Sequence, residues 1–238
     1  RITPRAFPET HFFSKKPLDP ESNCCYATSV AQQVYSIDTS PRKLNMPPKF
    51  KFAKKEIIQT ALGIVRQHGW KGLSARSIAN ELNASTKPIY GYFKSMAMLE
   101  EEVVKRIMDL LYDHMIQNRT GDPWHDHGIG YALFGFDEKK LFMAANDDKH
   151  VAHTREYGQI VWDRCTASLI DYPPFQGLSG EDIYKVQLLR WLMAHGLAFQ
   201  AAIQPPGLYD EAVITEMMQT GSRAILSGLK EEFASAAL

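Results

Sequence analysis

Leu73-Ser74-Ala75-Arg76-Ser77-Ile78-Ala79-Asn80-Glu81-Leu82-Asn83-Ala84-Ser85-Thr86-Lys87-Pro88-Ile89-Tyr90-Gly91-Tyr92-Phe93 holds two helix starts with a turn between them. Ser74 is a strong N-cap residue, and Leu73 and Ile78 around it have the spacing of a hydrophobic staple. Ala75, Ile78, Ala79 and Leu82 form one apolar stripe, which predicts a helix of about eight residues. Asn83 tolerates a positive φ in a tight turn. Ser85 then reads as a second N-cap, opening a helix over residues 86–93 that buries Ile89 and Phe93. Counted from Ser85, Pro88 is the third helical position, where a missing N–H has no partner to lose. Upstream, Ile57, Ala61, Leu62 and Val65 repeat on one helix face up to His68-Gly69, where glycine can take a left-handed cap conformation. Two short helices joined by a tight turn read as a helix-turn-helix whose second member is the recognition helix.

The charge distribution agrees with that reading although the total does not. The chain of 238 residues carries 27 basic and 27 acidic side chains. Resolved along the chain, residues 1–45 hold six basic against four acidic groups, residues 46–95 nine against two, and residues 96–238 twelve against twenty-one. A neutral protein is thus a basic module joined to an acidic one, and such asymmetry points to a polyanion partner. Hydrophobic residues make up 45%, enough for a sizeable core and too many for a disordered chain. Leu192 to Ile203, the most apolar-leaning stretch, is far shorter than the about 20 residues of a membrane span, so no membrane partner is expected. Cys24, Cys25 and Cys165 have no metal-ligand or disulfide spacing, which fits a reducing, cytoplasmic setting.

Residues 1–45 contain five prolines and no convincing helical period, and the first methionine is Met46. They read as a disordered or non-native extension in which 29–37 could form a local helix. The division expected is 1–45, the basic helix-turn-helix module over 46–95, and an acidic helical domain over 96–238. In the last, helical spacing runs over residues 98–116, 129–136, 138–145, 150–170, 180–203 and 210–233. Thr120-Gly121-Asp122-Pro123, Asp171-Tyr172-Pro173-Pro174 and Gln204-Pro205-Pro206-Gly207 break it.

Ile57-Ile58-Gln59-Thr60-Ala61-Leu62, His68-Gly69-Trp70, residues 73–79 and Ser85-Thr86-Lys87-Pro88-Ile89-Tyr90-Gly91-Tyr92-Phe93 together resemble the DNA-binding domain of the TetR family of bacterial transcriptional regulators. The resemblance covers residues 50–100. It implies an all-α protein, with an N-terminal three-helix DNA-binding domain followed by a larger C-terminal helical bundle that binds a small molecule and dimerises. The partners implied are a double-stranded DNA operator, a second copy of the chain and a small apolar or amphipathic effector, with repression as the output. No cofactor is implied. In one departure, Met96 stands where the family usually has a lysine opening the fourth helix, and Lys94 supplies that charge instead.

On this reading Thr86 and Lys87 lie nearest base edges, lysine donating to guanine and the threonine methyl packing on thymine. Tyr90, Tyr92, Arg76 and Lys94 would contact phosphates, with Ser74 and Ser85 at the helix starts. Lys49, Lys51, Lys54 and Lys55 read as a flexible basic arm adding salt-sensitive affinity. In the acidic part, Trp191-Leu192-Met193-Ala194-His195-Gly196-Leu197-Ala198 resembles the family's penultimate helix. The small residues Ala194, Gly196, Ala198, Ala201 and Ala202 would admit a neighbouring helix, assigning this helix and residues 214–229 to a four-helix dimer interface. Met108, Tyr112, Phe134, Phe142, Tyr157, Trp162, Trp191 and His195 are the candidates for lining an effector pocket.

Trp124-His125-Asp126-His127 reads as a capping loop after Pro123, and no metal site is assigned. There is no nucleophile elbow, phosphate-cradling glycine loop or dinucleotide fingerprint, so no catalytic residue is assigned and no enzyme is expected. Two alternatives share the charge pattern: a non-specific or architectural DNA binder, and an interaction module on a regulator fold without operator specificity.

Overall fold

The computed structural model describes residues 52–205 and 207–236, which contain helices and no strand. The extension 1–45, its 29–37 segment, Lys49 and Lys51 lie outside the described residues.

α1 (Lys54–His68) buries Ile57, Ala61, Leu62, Ile64 and Val65. Its start is set by Glu56, which reaches back to accept the Ala53 N–H at 2.6 Å. Lys54 and Lys55 therefore belong to the first helical turn, not to an arm, and Lys54 is committed to an ion pair with Glu102. Gly69 ends the helix at φ +66°, its N–H bonded to the Val65 carbonyl at 2.8 Å. A 3-10 turn, Trp70–Gly72, leads into α2 (Ala75–Glu81). Ser74 caps α2 by accepting the Ser77 N–H at 3.0 Å. The turn after α2 closes with Asn83 at φ +48°, the Asn83 and Ala84 N–H groups returning to the carbonyls of Asn80 and Ala79.

α3 (Lys87–Tyr92) is shorter than its sequence suggests. The N-cap is Thr86, not Ser85, and it makes no side-chain cap bond. Pro88 thereby becomes the second helical position, where its ring supplies the helical φ and the N–H it lacks would have had no intrahelical partner. Ser85 stays exposed.

α4 (Met96–Met115) is capped by Ser95 and is common to both parts of the protein, packing against α1 on one side and against α5, α6 and α7 beyond it. α5 (Pro123–Asp137) begins six residues earlier than its apolar run. Asp122 caps it by accepting the Trp124 N–H at 2.8 Å, so Trp124-His125-Asp126-His127 is its first turn and not a loop. Proline at the first helical position disguises such a start. α5 is buried on almost every face and packs against α4, α6, α8 and α9, which makes it the axis of the bundle. α6 (Lys139–Ala145), α7 (Val151–Ala167), α8 (Gly180–Ile203) and α9 (Glu211–Ala236) complete the fold. No helix among the described residues is long and apolar enough to cross a membrane.

Candidate nucleic-acid interface

The surface formed by α2, the turn and α3 carries Lys71, Arg76, Lys87 and Lys94, all exposed and none in an ion pair with a described residue. Glu81 is the sole acid of the pair α2 and α3. Beneath this surface Ile78, Ile89 and Phe93 are buried, so the polar residues between them must point outward. Tyr90 leaves 54% of its surface to solvent, so its ring and hydroxyl are open to a partner. Lys87 sits on the first turn of α3, where it has the reach to enter a groove ahead of the helix. Lys71 lies in the 3-10 turn, where no helical pattern in the sequence marks it as a candidate.

Two of the sequence candidates have local duties. The Ser74 hydroxyl is engaged with Ser77, whose own hydroxyl reaches the Gly72 and Ser74 carbonyls at 2.9 Å. Tyr92 is exposed but its hydroxyl donates to the Phe52 carbonyl at 3.1 Å, tying the end of α3 to the residues before α1. Its single proton is committed there. Arg76 lies on α2 and Thr86, Lys87, Tyr90 and Lys94 lie on α3 or directly beside it, all exposed except the half-buried Thr86; Lys51 falls outside the described residues.

The helix-turn-helix is fastened to the body through α1, the 3-10 turn and α4. Trp70 donates its indole N–H to the Ala144 carbonyl at 2.8 Å and stacks on His150 at 4.0 Å between ring centroids. His150 is buried against Glu100 at 2.9 Å, which Lys149 also contacts. Burial pushes the Glu100 carboxyl up, but the interactions with Lys149 and His150 outweigh it and hold the group below its ordinary range. Arg66 donates to Glu138 at 2.8 Å, and Lys140 reaches the Gln67 carbonyl at the end of α1. Trp70→Phe keeps a ring on His150 and removes the bond to Ala144. A loss of about 1 kcal/mol in denaturant unfolding is expected, and an unchanged midpoint would refute the bracing role.

In the body, the eight pocket candidates separate into several groups. Phe142, Trp191 and His195 surround Tyr131, whose buried hydroxyl lies 2.9 Å from His195 Nδ1. Burial lowers the His195 pKa, which favours the neutral ring as acceptor for the tyrosine proton. Tyr131 itself lies inside a run that is apolar all round, so no period marks it. Phe134 meets His114 edge-on at 5.3 Å. Tyr112 faces Arg164 and Tyr157 bonds Glu101 at 3.2 Å, both with α4 and α7 as neighbours, while Met108 approaches Gly158 there. Trp162 pairs with Tyr184. A cavity of about 610 Å³ opens elsewhere, lined among others by Asp122, Pro123, Ser168, Ile170, Tyr172 and Pro174, and by none of the eight. Among the described residues no three metal-ligating side chains converge.

Solved structures share this arrangement of a three-helix head on a helical body. A transcriptional regulator from Rhodococcus sp. Rha1 is similar with a TM-score of 0.56 at 15% identity, over 73% of this chain and 96% of that one. A protein from Mesorhizobium loti MAFF303099, assigned to the TetR family of transcriptional regulators, is similar with a TM-score of 0.50 at 18% identity, over 73% of this chain and 94% of that one. No protein-family model and no curated protein matches the sequence. At such identities the likeness is one of fold: this chain has a TetR-like fold, with the N-terminal helix-turn-helix and larger helical body that the sequence resemblance implied.

Proposed function

We propose that the protein is a DNA-binding transcriptional regulator of the TetR type, a cytoplasmic repressor that grips an operator as a homodimer and lets go when a small effector enters its body. What carries this reading is the α2–α3 surface, where four exposed cations and Tyr90 stand over a buried apolar support on a fold shared with transcriptional regulators. Lys87 and Thr86 read bases; Tyr90, Arg76 and Lys94 hold phosphates, and Tyr92 braces α3 from behind. Residues 46–95 act as the reading head and residues 96–238 as the sensing and dimerising body. The brace from Trp70 and Glu100 to α6 and α7 is the path by which a change in the body alters the spacing of two recognition helices.

Gel shift and footprinting on the protein's own upstream DNA test the reading. A discrete footprint is expected, and equal affinity for random DNA would favour the architectural alternative. Lys87→Ala should weaken the specific complex by about 1–3 kcal/mol and relax preference at one base position. Uniform weakening on every sequence would remove Lys87 from the base-reading set.

A further inference from the structure

Arg190, in α8, is a buried cation with little to balance it. It is 5% exposed, its Nη1 donates 2.5 Å to the Trp124 carbonyl, and its guanidinium carbon lies 3.9 Å from the centroid of the Trp124 ring. No described carboxylate forms an ion pair with it. Asp122 is occupied by the Trp124 N–H and the Tyr172 hydroxyl, at 2.8 and 2.9 Å. Asp126 is occupied by the backbone and hydroxyl of Thr120, at 2.8 and 2.7 Å.

Further polar groups of this neighbourhood are buried and unpartnered: Trp124 Nε1, His127 Nδ1 and Ser222 Oγ. Gly128 brings the last of these to the arginine. A Cβ on Gly128 would stand 2.7 Å from Met218 Cε, 3.7 Å from Arg190 Cδ and 3.8 Å from Ser222 Oγ, so the bare backbone of α5 has the Met218 methyl, the arginine stem and the serine hydroxyl packed against one point. Burial lowers the Arg190 pKa only to about 10, which leaves the side chain charged at neutral pH. A buried cation with no ion pair, beside polar groups left without a partner, is costly to keep even with Asp122 in its field, and a bound anion reduces that cost.

The surroundings select the kind of anion. Arginine's planar fork matches a carboxylate bidentately. Asp122 and Asp126 nearby disfavour a second negative charge on the ligand. Trp124, Leu169, Phe175 and Val186 form an apolar cluster of their own, with Tyr172 packed on it, and the cavity of about 610 Å³ shares Asp122 and Tyr172 with this neighbourhood. We propose that Arg190, Ser222 and the Trp124 indole N–H receive the carboxylate of a small organic monoacid whose apolar body lies against Trp124 and Tyr172. Calling this acid the effector rests on the regulator reading; its binding does not.

Benzoate is the probe, with benzamide as its uncharged counterpart and sodium chloride at equal ionic strength as the ion control. Calorimetric titration and thermal shift of the full chain without DNA should show saturable stabilisation by millimolar benzoate, and none by benzamide or chloride. Arg190→Met should weaken benzoate at least tenfold and Ser222→Ala severalfold. No response to benzoate, equal responses to benzoate and benzamide, stabilisation by chloride alone, or full benzoate binding by Arg190→Met overturns the proposal. Should Arg190→Met fail to fold, the comparison of benzoate with benzamide on the unaltered protein decides. Benzoate binding by a protein that shows no footprint refutes the regulator reading alone, and a footprint without benzoate binding refutes the acid site alone.

Discussion

Leu192→Glu is expected to split the proposed dimer into single chains and to weaken the proposed operator binding on the order of a thousandfold, the loss that follows when two linked half-site contacts become one. The expectation comes from which side of α8 faces water. Leu189, Leu192, Gly196, Phe199 and Ile203 follow one another at steps of three and four residues, the period of a helix-packing stripe, and all are exposed. Leu192 and Ile203 leave about half their surface to solvent, at 50% and 51%. On α9, Val213, Met217, Thr220 and Ala224 repeat the same steps and are exposed too. A stripe of this size on two adjacent helices marks an interaction surface.

Two-fold symmetry sets the same patch against itself, so one substitution places two carboxylates in one apolar contact. Leu192 contributes little to the packing inside one chain, and helix content by circular dichroism should not change. Sedimentation at equal mass for the unaltered and substituted proteins would sink the assignment. Three of the five small residues named for this interface pack inside the chain, while Gly196 lies on the exposed stripe. Ala194, Ala198 and Ala201 are buried within the chain, as are Ile214 and Met218 of α9. The dimer surface proposed is the opposite, bulkier side of the same two helices.

Gly135→Ala should destabilise the protein by about 3 kcal/mol, the upper part of the range for overpacking a tight core. Alanine normally improves a helix by about 1 kcal/mol over glycine, so the expected sign is reversed. A Cβ on Gly135 would stand 2.5 Å from the Ala198 carbonyl oxygen and 2.8 Å from its carbon, both backbone atoms that no rotamer change can move aside. Gly130 makes a similar approach to α4, where the added atom would stand 2.2 Å from the His114 carbonyl oxygen. α5 can lie at the centre of the bundle because these two points lack side chains. Gly63→Ala on α1 is the control, with nothing within 4 Å of the added atom, and should be neutral or stabilising. Thermal unfolding checks the pair: a drop of about 6–12 °C for Gly135→Ala against none for Gly63→Ala, from the usual 2–4 °C per kcal/mol at this size. Equal midpoints would show that α8 shifts freely to accommodate the methyl.

What could be read from the sequence alone is what neighbours within a few residues decide. The Ser74 cap, the left-handed turn at Asn83, the end of α1 at Gly69 and the span 180–203 of α8 depend on bonds that close inside one turn of chain. Charge segregation is likewise a property of the chain, and it marked the basic module before any fold was known. Local rules misled where two of them competed. Ser85 and Thr86 are both good caps and α3 took the second; Pro123 hid a helix start that Asp122 supplies.

The tertiary structure decided everything that depends on which surfaces meet across long separations. Arg190 finds Trp124 from 66 residues away, His195 finds Tyr131 from 64, and Trp70 finds Ala144 from 74. In α5 and α8 apolar residues occupy more than one face, so periodicity cannot tell the side turned inward from the side left for a partner. Only the packing of α5 against four neighbours settles that, and with it which residues stay exposed and which polar groups are left buried without a hydrogen-bond partner.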